Sequence, residues 1–332
     1  MKVLVIGASG FLGANLVRAL LAHGDEVRAM VRPSSSLHTL QGLEVEWVQG
    51  DLTDPGSLQR ACEGVQLVYQ TASYYPSHAI PAKVAVAQAL AETRNLLAAV
   101  RHADVDRLIF TSTLTTIGFP PPGADRLANE DDAFVPLFPD NPYLMAKAAM
   151  EQEVLRSSRA GLPAVVVNPT AFYGPYDSKP TSGTQILMIA KRLMPAYIEG
   201  AVNAIDVRDV ADGMISAAER GRIGERYILG NWNTTQKELN QLIARAAGVP
   251  APVLPIPFTL ARYGSKLGDW VFSRILGRRA PVPGFFVEML RHMQQYDCSK
   301  ATREFGHSRR PLEQAIADAL SWFRQNGYLK TH

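Results

Sequence analysis

The chain has 332 residues, of which 47% are hydrophobic and 20% are charged. This balance excludes a disordered or fibrous chain, and the length suits two domains. No uncharged apolar run approaches the roughly 18 residues that a membrane-spanning helix needs. The two cysteines, Cys62 and Cys298, suit a reducing compartment better than a disulfide framework. We therefore expect a soluble protein of the cytoplasm.

The charge is divided unevenly along the chain. Residues 1–170 carry 13 basic and 17 acidic side chains, whereas residues 171–332 carry 21 and 14. This asymmetry predicts that the second half faces an anionic partner, either a phosphorylated small substrate or an anionic membrane surface. Nucleic acid is disfavoured, because no basic block with interleaved aromatic residues occurs. The seven histidines show no metal-ligand spacing, so no metal is expected.

Short β-branched runs alternate with helical patterns in the first half of the chain. The candidate strands are Lys2–Ile6, Glu26–Val31, Val45–Val48, Gln66–Tyr69, Arg107–Thr111 and Ala164–Val167. This alternation predicts an α/β fold with a doubly wound parallel sheet of the Rossmann type. After Pro169 glycine and proline are frequent and strands are expected to be scarce. We predict a dinucleotide-binding domain at 1–170, with a return segment at about 202–230, and a smaller interleaved α/β substrate-binding domain at 171–201 and 231–332.

A glycine-rich turn follows the first candidate strand and opens the first candidate helix. Its sequence is Gly7-Ala8-Ser9-Gly10-Phe11-Leu12-Gly13. Glycines let the backbone turn sharply and approach a pyrophosphate, whose charge is favoured at a helix N-terminus. In this strand–turn–helix context the motif predicts a nucleotide site, and a tight turn that holds no ligand is the alternative.

The end of the second candidate strand indicates which dinucleotide is bound. Arg32 and a serine-rich loop stand where an NAD site usually has a carboxylate for the ribose 2′-hydroxyl. An arginine with neighbouring hydroxyls suits a 2′-phosphate. NADP is therefore favoured and NAD is the alternative, while a solvated surface arginine is the interpretation without a ligand. Asp51 and Leu52, after the third strand, lie where an adenine edge is read.

Hydroxyl groups and a tyrosine–lysine pair form the candidate acid–base set. A strand ends in Thr111-Ser112-Thr113, and Tyr143 and Lys147 follow on one face of a helix. An ammonium group stabilises a nearby phenolate, and lowering a tyrosine pKa from ~10 to ~7 takes roughly 4 kcal/mol. With a threonine hydroxyl on the substrate oxygen, the set fits hydride transfer at a carbinol carbon. Tyr296 and Lys300 share the spacing, but no hydroxyl-bearing strand precedes them.

Together these motifs resemble an extended short-chain dehydrogenase/reductase of the NAD-dependent epimerase/dehydratase family. The resemblance rests on GASGFLG, the FTST strand end, the Tyr143–Lys147 pair, Asn168-Pro169-Thr170 and the closing WFRQNGY, and it covers essentially the whole chain. The sequence is similar to nucleotide-sugar epimerases, hopanoid-associated sugar epimerases and dihydroflavonol-4-reductases. GLPAVVVNPTAFYGPYDSKPT and GRIGERYILGN are most similar to the hopanoid-associated group.

The resemblance implies a role for each matching residue. The implied catalytic residues are Thr113, Tyr143 and Lys147. The dinucleotide-binding residues, including those that the motifs indicate, are Gly7, Ser9, Gly10, Phe11, Leu12, Gly13, Arg32, Asp51, Leu52, Thr71, Ala72, Thr111, Tyr143, Lys147, Pro169 and Thr170. The candidate substrate-binding residues are Thr113, Asn168, Lys179, Arg192 and Arg208. Arginine binds a diphosphate well, although a solvated helix face is the alternative for each of these cations.

Other features of the chain are open to more than one interpretation. Where relatives commonly carry an asparagine, the chain reads Ala89-Leu90-Ala91-Glu92-Thr93, which leaves the proton path open. The resemblance implies a homodimer through helices near 80–102 and 142–158. The basic amphipathic segment 258–279 is interpreted as packing within the smaller domain, with a lid or a peripheral membrane contact as the alternatives.

Three functions fit these observations. We predict an NAD(P)-dependent epimerase of a nucleotide-linked sugar, in which Tyr143 removes a hydroxyl proton as hydride moves to the nicotinamide. An NADPH-dependent carbonyl reductase of the dihydroflavonol-4-reductase type is the alternative. The expected preference of the chain for NADP favours the reductase, whereas the basic second half of the chain favours the epimerase. A non-enzymatic dinucleotide sensor is disfavoured, because a sensor has no need for the acid–base set of Thr113, Tyr143 and Lys147.

Overall fold

The structure, a computed structural model, describes residues 1–72, 80–274, 284–306 and 309–330. Within these ranges the strands are β1 (Lys2–Ile6), β2 (Glu26–Val31), β3 (Glu46–Gln49), β4 (Leu67–Gln70), β5 (Arg107–Thr111), β6 (Ala164–Pro169), β7 (Ala171–Tyr173), β8 (Ala196–Ile198), β9 (Ala201–Asp206), β10 (Arg226–Leu229), β11 (Trp232–Thr235) and β12 (Leu254–Ile256). The helices are α1 (Phe11–His23), α2 (Pro55–Cys62), α3 (Ala82–His102), α4 (Pro142–Arg159), α5 (Gly183–Ala190), α6 (Val207–Arg220), α7 (Gln236–Ala247), α8 (Phe258–Arg274), α9 (Gly284–Leu290), α10 (Ser299–Phe305) and α11 (Leu312–Gln325).

A parallel sheet forms the centre of the described part of the chain. Its seven strands run in the order β10-β6-β5-β4-β1-β2-β3, and each neighbouring pair is parallel. Side chains alternate between the two faces of each strand: Val3 and Val5 pack with α1 and α6 on one face, whereas Leu4 and Ile6 pack with α2, α3 and α4 on the other. The Rossmann-type sheet predicted from the sequence is thereby confirmed.

The strands of the first half lie close to their predicted positions. Their ends agree to within one residue, except that β6 continues two residues further than expected, to Pro169. They were predictable because strands buried on both faces appear as continuous apolar runs. The expectation that strands are scarce after Pro169 is wrong, since the described residues beyond it contain β7 to β12. These strands are three to six residues long, and polar side chains interrupt several of them.

A second, smaller core adjoins the main sheet. It contains a three-stranded sheet in the order β11-β9-β7 and a two-stranded sheet of β12 and β8. Helices α5, α7 and α11 pack there through Ile186, Leu239, Ile316 and Phe323. Since β7 begins two residues after β6 ends, this core lies beyond the carboxyl edge of the main sheet, where ligands of such folds bind.

Of the helices described, none combines the length and the apolarity that crossing a bilayer requires.

Only a residue without a side chain fits at Gly13, where α1 lies against the turn after β1. A Cβ atom on Gly13 would lie 2.2 Å from the Gly7 carbonyl oxygen and 2.9 Å from the Ala8 Cα. We expect Gly13→Ala to lower the free energy of unfolding by about 3 kcal/mol, measured by thermal unfolding. Gly200→Ala is the control, because no heavy atom lies within 4 Å of the added methyl group. An unchanged unfolding midpoint in Gly13→Ala would contradict this close packing.

Candidate active site

The glycine-rich turn fits the phosphates of a dinucleotide. Gly7 has a φ angle of 84°, and a Cβ there would lie 2.6 Å from the Ala72 nitrogen, so the turn lies against the end of β4. On the same side the Thr71 hydroxyl donates to the Ile6 carbonyl at 2.8 Å. Gly10 is the exposed N-cap of α1, and it supplies no side-chain cap to the helix amides. Free amides and the positive end of the helix dipole favour an anion at this position.

The residues predicted to hold the adenosine half lie together at the same edge. The Asp51 carboxylate accepts hydrogen bonds from the Thr53 amide at 2.9 Å and from its hydroxyl at 2.7 Å. These bonds, and the nearby Arg32 charge, lower the pKa of Asp51. Arg32 itself is exposed at the end of β2. The edge thus presents a cation beside a fixed carboxylate, with Leu52 following on the chain.

The start of α4 is fixed by a capping residue. The Asn141 side-chain oxygen accepts hydrogen bonds from the amides of Tyr143 and Leu144, both at 3.1 Å. Pro142 occupies the first helical turn, where its missing N–H costs nothing. Such a cap contributes about 1 kcal/mol, and here it also fixes where the Tyr143 side chain leaves the helix.

Thr113 and Tyr143 are brought together across β5 and α4. The side chain of Thr113 forms a hydrogen bond with the Tyr143 phenol. Tyr143 is only 7% exposed. Burial raises the pKa of Tyr143, and the hydrogen bond from Thr113 only partly opposes this rise. The sequence led us to expect a lowered pKa for Tyr143, but its surroundings raise this pKa. At neutral pH they hold a protonated phenol, which is a proton donor.

Lys147 lies one turn along α4 from Tyr143. It is 3% exposed, and burial lowers its pKa to about 8, while the Glu151 charge acts in the opposite direction. Residues at this spacing share one helix face, so Tyr143, Lys147 and Glu151 form a row. The row runs from the phenol to a buried carboxylate.

Glu151 anchors a buried polar network beneath this row. Its Oε2 accepts hydrogen bonds from the Thr116 hydroxyl and from Asn168 Nδ2, both at 2.6 Å, and its Oε1 accepts one from Arg226 Nη1 at 2.8 Å. Asn168 also donates to the Thr113 carbonyl at 3.1 Å. The sequence predicted that Asn168 faces cofactor or substrate, but it is fully buried and holds the backbone behind Thr113 instead.

Sequence reasoning did not identify Asn141, Glu151 or Arg226. Two of them carry a local signal: an asparagine before a proline is typical of a helix N-cap followed by its first residue, and Glu151 continues the helical spacing of Tyr143 and Lys147. Arg226 carries none, since it reaches Glu151 from 75 residues away.

The predicted substrate cations are not gathered at the site. Arg208 forms hydrogen bonds of 2.9 and 2.6 Å with Asp206 and an ion pair of 2.7 Å with Asp318. Two carboxylates therefore neutralise its guanidinium, which does not fit the diphosphate contact predicted for it. Lys179 and Arg192 are exposed.

The other predicted cofactor residues line the ends of β5 and β6. The Thr111 hydroxyl lies 4.0 Å from the Met214 sulfur, on the α6 side of the sheet. Pro169 and Thr170 are buried, and the Thr170 amide donates to the Leu229 carbonyl at 3.0 Å. Among the residues that the structure describes, no cluster of three or more His, Cys, Asp or Glu side chains is arranged to hold a metal ion.

The second tyrosine–lysine pair has a structural role. The Tyr296 hydroxyl donates to the carbonyls of Leu114 and His292, both at 3.1 Å. Lys300 forms an ion pair of 2.7 Å with Glu225. Both side chains are therefore engaged in packing the chain, and the choice of Tyr143 over Tyr296 agrees with this geometry.

The chain is similar to known proteins in sequence and in structure. The model of the NAD-dependent epimerase/dehydratase family matches residues 3–230. A protein of Synechocystis sp., provisionally named dihydroflavonol 4-reductase, is 37% identical over 98% of this chain and 96% of its own length. Sterol demethylase protein B of Methylococcus capsulatus is 36% identical over 99% of this chain and 100% of its own length. The crystal structure of a nucleoside-diphosphate-sugar epimerase from Pseudomonas aeruginosa has a TM-score of 0.83 at 31% identity, covering 99% of both chains.

The position of Glu151 predicts a pH effect. Its negative charge raises the pKa of Lys147 and so partly offsets the effect of burial, and the two together place that pKa at about 8. In Glu151→Gln the pKa of Lys147 should fall further, so the ammonium is lost at lower pH. We expect the alkaline limb of the pH–activity profile to move toward lower pH.

Glu153→Gln is the matched control for this measurement, because Glu153 is on the same helix but pairs with Arg94 and Arg156. Circular dichroism should accompany both profiles, since the first variant leaves Arg226 without its carboxylate. Identical pH profiles for the two folded variants would contradict the coupling of Glu151 to Lys147.

Proposed function

Because the chain belongs to the NAD-dependent epimerase/dehydratase family, we propose that it is an NADPH-dependent reductase that converts a ketone on a bulky apolar compound to the secondary alcohol. Family and relatives make it an NAD(P)-dependent enzyme. The choice of reduction within that family is supported by the protonation of the site, by the surroundings of the acid–base pair and by the names of two similar proteins.

The observation that carries the proposal is the hydrogen-bonded pair of Thr113 and Tyr143. Burial keeps the Tyr143 phenol protonated, so the resting side chain is ready to donate to a carbonyl oxygen. A nicotinamide bound at the carboxyl edge of the sheet supplies the hydride. As the carbonyl carbon gains that hydride, the Tyr143 proton passes to the oxygen and gives the alcohol. Lys147, one turn away, returns a proton to the phenolate and is itself reprotonated from solvent.

A cluster of aromatic residues that reaches the cap of α4 supports an apolar substrate. The rings of Phe119, Phe134 and Phe138 lie 5.8 to 6.2 Å from the buried His292 ring. The Phe138 carbonyl accepts a hydrogen bond from the amide of Asn141, the cap of α4. Two similar proteins are named after a dihydroflavonol and a sterol, and both compounds are multi-ring molecules without a phosphate group.

Epimerisation of a nucleotide-linked sugar, predicted first from the sequence, is the second candidate. The likeness to a nucleoside-diphosphate-sugar epimerase favours it, and so do the exposed cations Lys179 and Arg192. It would begin from a hydroxyl group, so the raised pKa of the Tyr143 phenol disfavours its first step, whereas its second step, the return of hydride to a transient ketone, uses the same protonated phenol as a reduction. It would also need cations for the diphosphate, and Arg208 is already paired with two carboxylates.

We also propose that the enzyme is a cytoplasmic homodimer. The resemblance implies that two copies meet through the outer faces of α3 and α4. These helices pack on each other and leave Val84 exposed. Cys62 and Cys298 are both buried free thiols, which suits a reducing cytoplasm.

The proposed preference for NADPH rests on Arg32, and it is tested by replacing this residue. We expect Arg32→Ala to raise the KM for NADPH by about tenfold or more, because a guanidinium–phosphate pair is lost. The KM for NADH should change little, since NADH lacks the 2′-phosphate. Arg60→Ala is the control, being an exposed arginine on the neighbouring helix α2. An equal effect on both coenzymes would argue against the 2′-phosphate contact.

Assays with three probe compounds test the proposed reaction. With a dihydroflavonol or a 3-ketosteroid we expect NADPH to be oxidised in step with alcohol formation, followed by nicotinamide absorbance and product chromatography. Tyr143→Phe should lower the rate roughly 10²- to 10⁴-fold, whereas Tyr296→Phe should retain it. The third probe is UDP-glucose with bound dinucleotide. Its conversion to UDP-galactose at constant nicotinamide absorbance, without reduction of either ketone, would overturn the proposal in favour of the epimerase.

A further inference from the structure

Of the six most exposed large apolar side chains among the described residues, five lie within residues 253–267. The six are Leu193, Val253, Leu254, Leu260, Tyr263 and Leu267, which are 58% to 83% exposed. Single exposed apolar residues are normal on a protein surface, but a contiguous group marks an interaction site. We call this group the apolar patch.

The strand part of the patch lies beside Leu193, and its helix part follows directly along the chain. Strand β12 pairs with β8 so that Leu254 lies opposite Ala196, and the amides of Val253 and Leu254 point to the Pro195 carbonyl. This places them beside Leu193. Helix α8 begins two residues after β12 ends. On α8 the three patch residues follow at spacings of three and four, which puts them on one helix face.

The opposite side of α8 is held against the protein. The Phe258 ring lies 6.3 Å from Phe138, and the Arg262 guanidinium carbon lies 5.1 Å above the same ring. Arg262 and Lys266 both pair with Glu288, at 3.3 and 3.5 Å. These contacts fix the orientation of α8. The opposite face of the helix, with Leu260, Tyr263 and Leu267, is therefore directed toward solvent. The sequence interpretation of packing within the smaller domain therefore describes only one side of the helix, and residues 275–279 of that segment lie outside the described residues.

Positive charge accompanies the patch. On α8 the Lys266 side chain is half exposed, although it pairs with Glu288. Lys191 and Arg192, next to Leu193, are exposed. An apolar helix face flanked by cations is the pattern that binds to the interface of anionic lipids. A second copy of this chain would bring the same positive charge to the contact, so charge complementarity disfavours self-association and favours a negatively charged surface.

We propose that the apolar patch and its neighbouring cations bind the surface of an anionic phospholipid bilayer. The leucine and tyrosine side chains of α8 enter the interface between headgroups and acyl chains, while the exposed Lys191 and Arg192 contact lipid phosphates. The proposal goes beyond the reaction proposed above and does not depend on it, since it concerns how the protein is held and not what it reduces. If the substrate is apolar, the contact also places the enzyme where such a compound accumulates.

Flotation of the full-length protein with lipid vesicles tests this. We expect binding to vesicles of phosphatidylcholine with phosphatidylglycerol, weak or no binding to phosphatidylcholine alone, and a decrease in binding as salt increases. Leu260→Glu combined with Leu267→Glu should weaken binding by about tenfold or more, since two apolar contacts are lost and two negative charges are added. Ile223→Glu is the matched control, because Ile223 is an exposed apolar residue outside the patch.

Three outcomes would overturn the proposal. One is no binding of the folded wild-type protein to anionic vesicles. Another is equal weakening by the double variant and by Ile223→Glu. The third is an oligomer of the wild type in sedimentation velocity that the double variant dissociates while vesicle binding is absent, because the patch would then be an interface between copies of the chain. Circular dichroism and thermal unfolding of each variant show that a loss of binding is not a loss of fold, and Leu260→Ala with Leu267→Ala provides a milder pair.

Discussion

The buried pair of Arg226 and Glu151 is the interaction on which the candidate site depends. Arg226 donates to Glu151 and also to the carbonyls of Thr116, Glu130 and Asp132. One guanidinium thereby joins β10, the turn after β5, the following loop and α4. Removing one partner from a buried ion pair is costly, because the other charge is left without compensation. Helix α4 and the turn after β5 that carries Thr113 are thus held together by a largely buried charge pair.

The same low-dielectric environment sets the chemistry of the site. Burial moves the pKa of Tyr143 upward and that of Lys147 down to about 8, so the ammonium becomes the stronger acid of the two and a proton passes readily from Lys147 toward a Tyr143 phenolate. Glu151 links this effect to the framework, since the carboxylate that supports the Lys147 charge is also the one that Arg226 holds. Structure and the protonation of the candidate site therefore depend on one set of contacts.

The sequence predicted the central sheet and the acid–base set because both leave local patterns. Continuous apolar runs identify strands buried on both faces, and helical spacing places Tyr143 and Lys147 together. Predictions failed where the decisive contact is distant in sequence. Nothing near Asn168 shows which side of β6 it occupies, and nothing near Arg208 shows that Asp318 approaches it from α11. The later strands were missed because they are short and partly polar, so tertiary packing decides their conformation.

The position of Arg226 in the chain has a consequence for the order of folding. During synthesis α4 is complete well before β10 emerges, so Glu151 must wait for a partner that is 75 residues further along. Until β10 adds to the edge of the sheet beside β6, a collapsed chain would bury a carboxylate without its cation. The first 170 residues contain the whole glycine-rich turn and the candidate acid–base set, yet the charge pair behind that set is complete only when the late strand arrives.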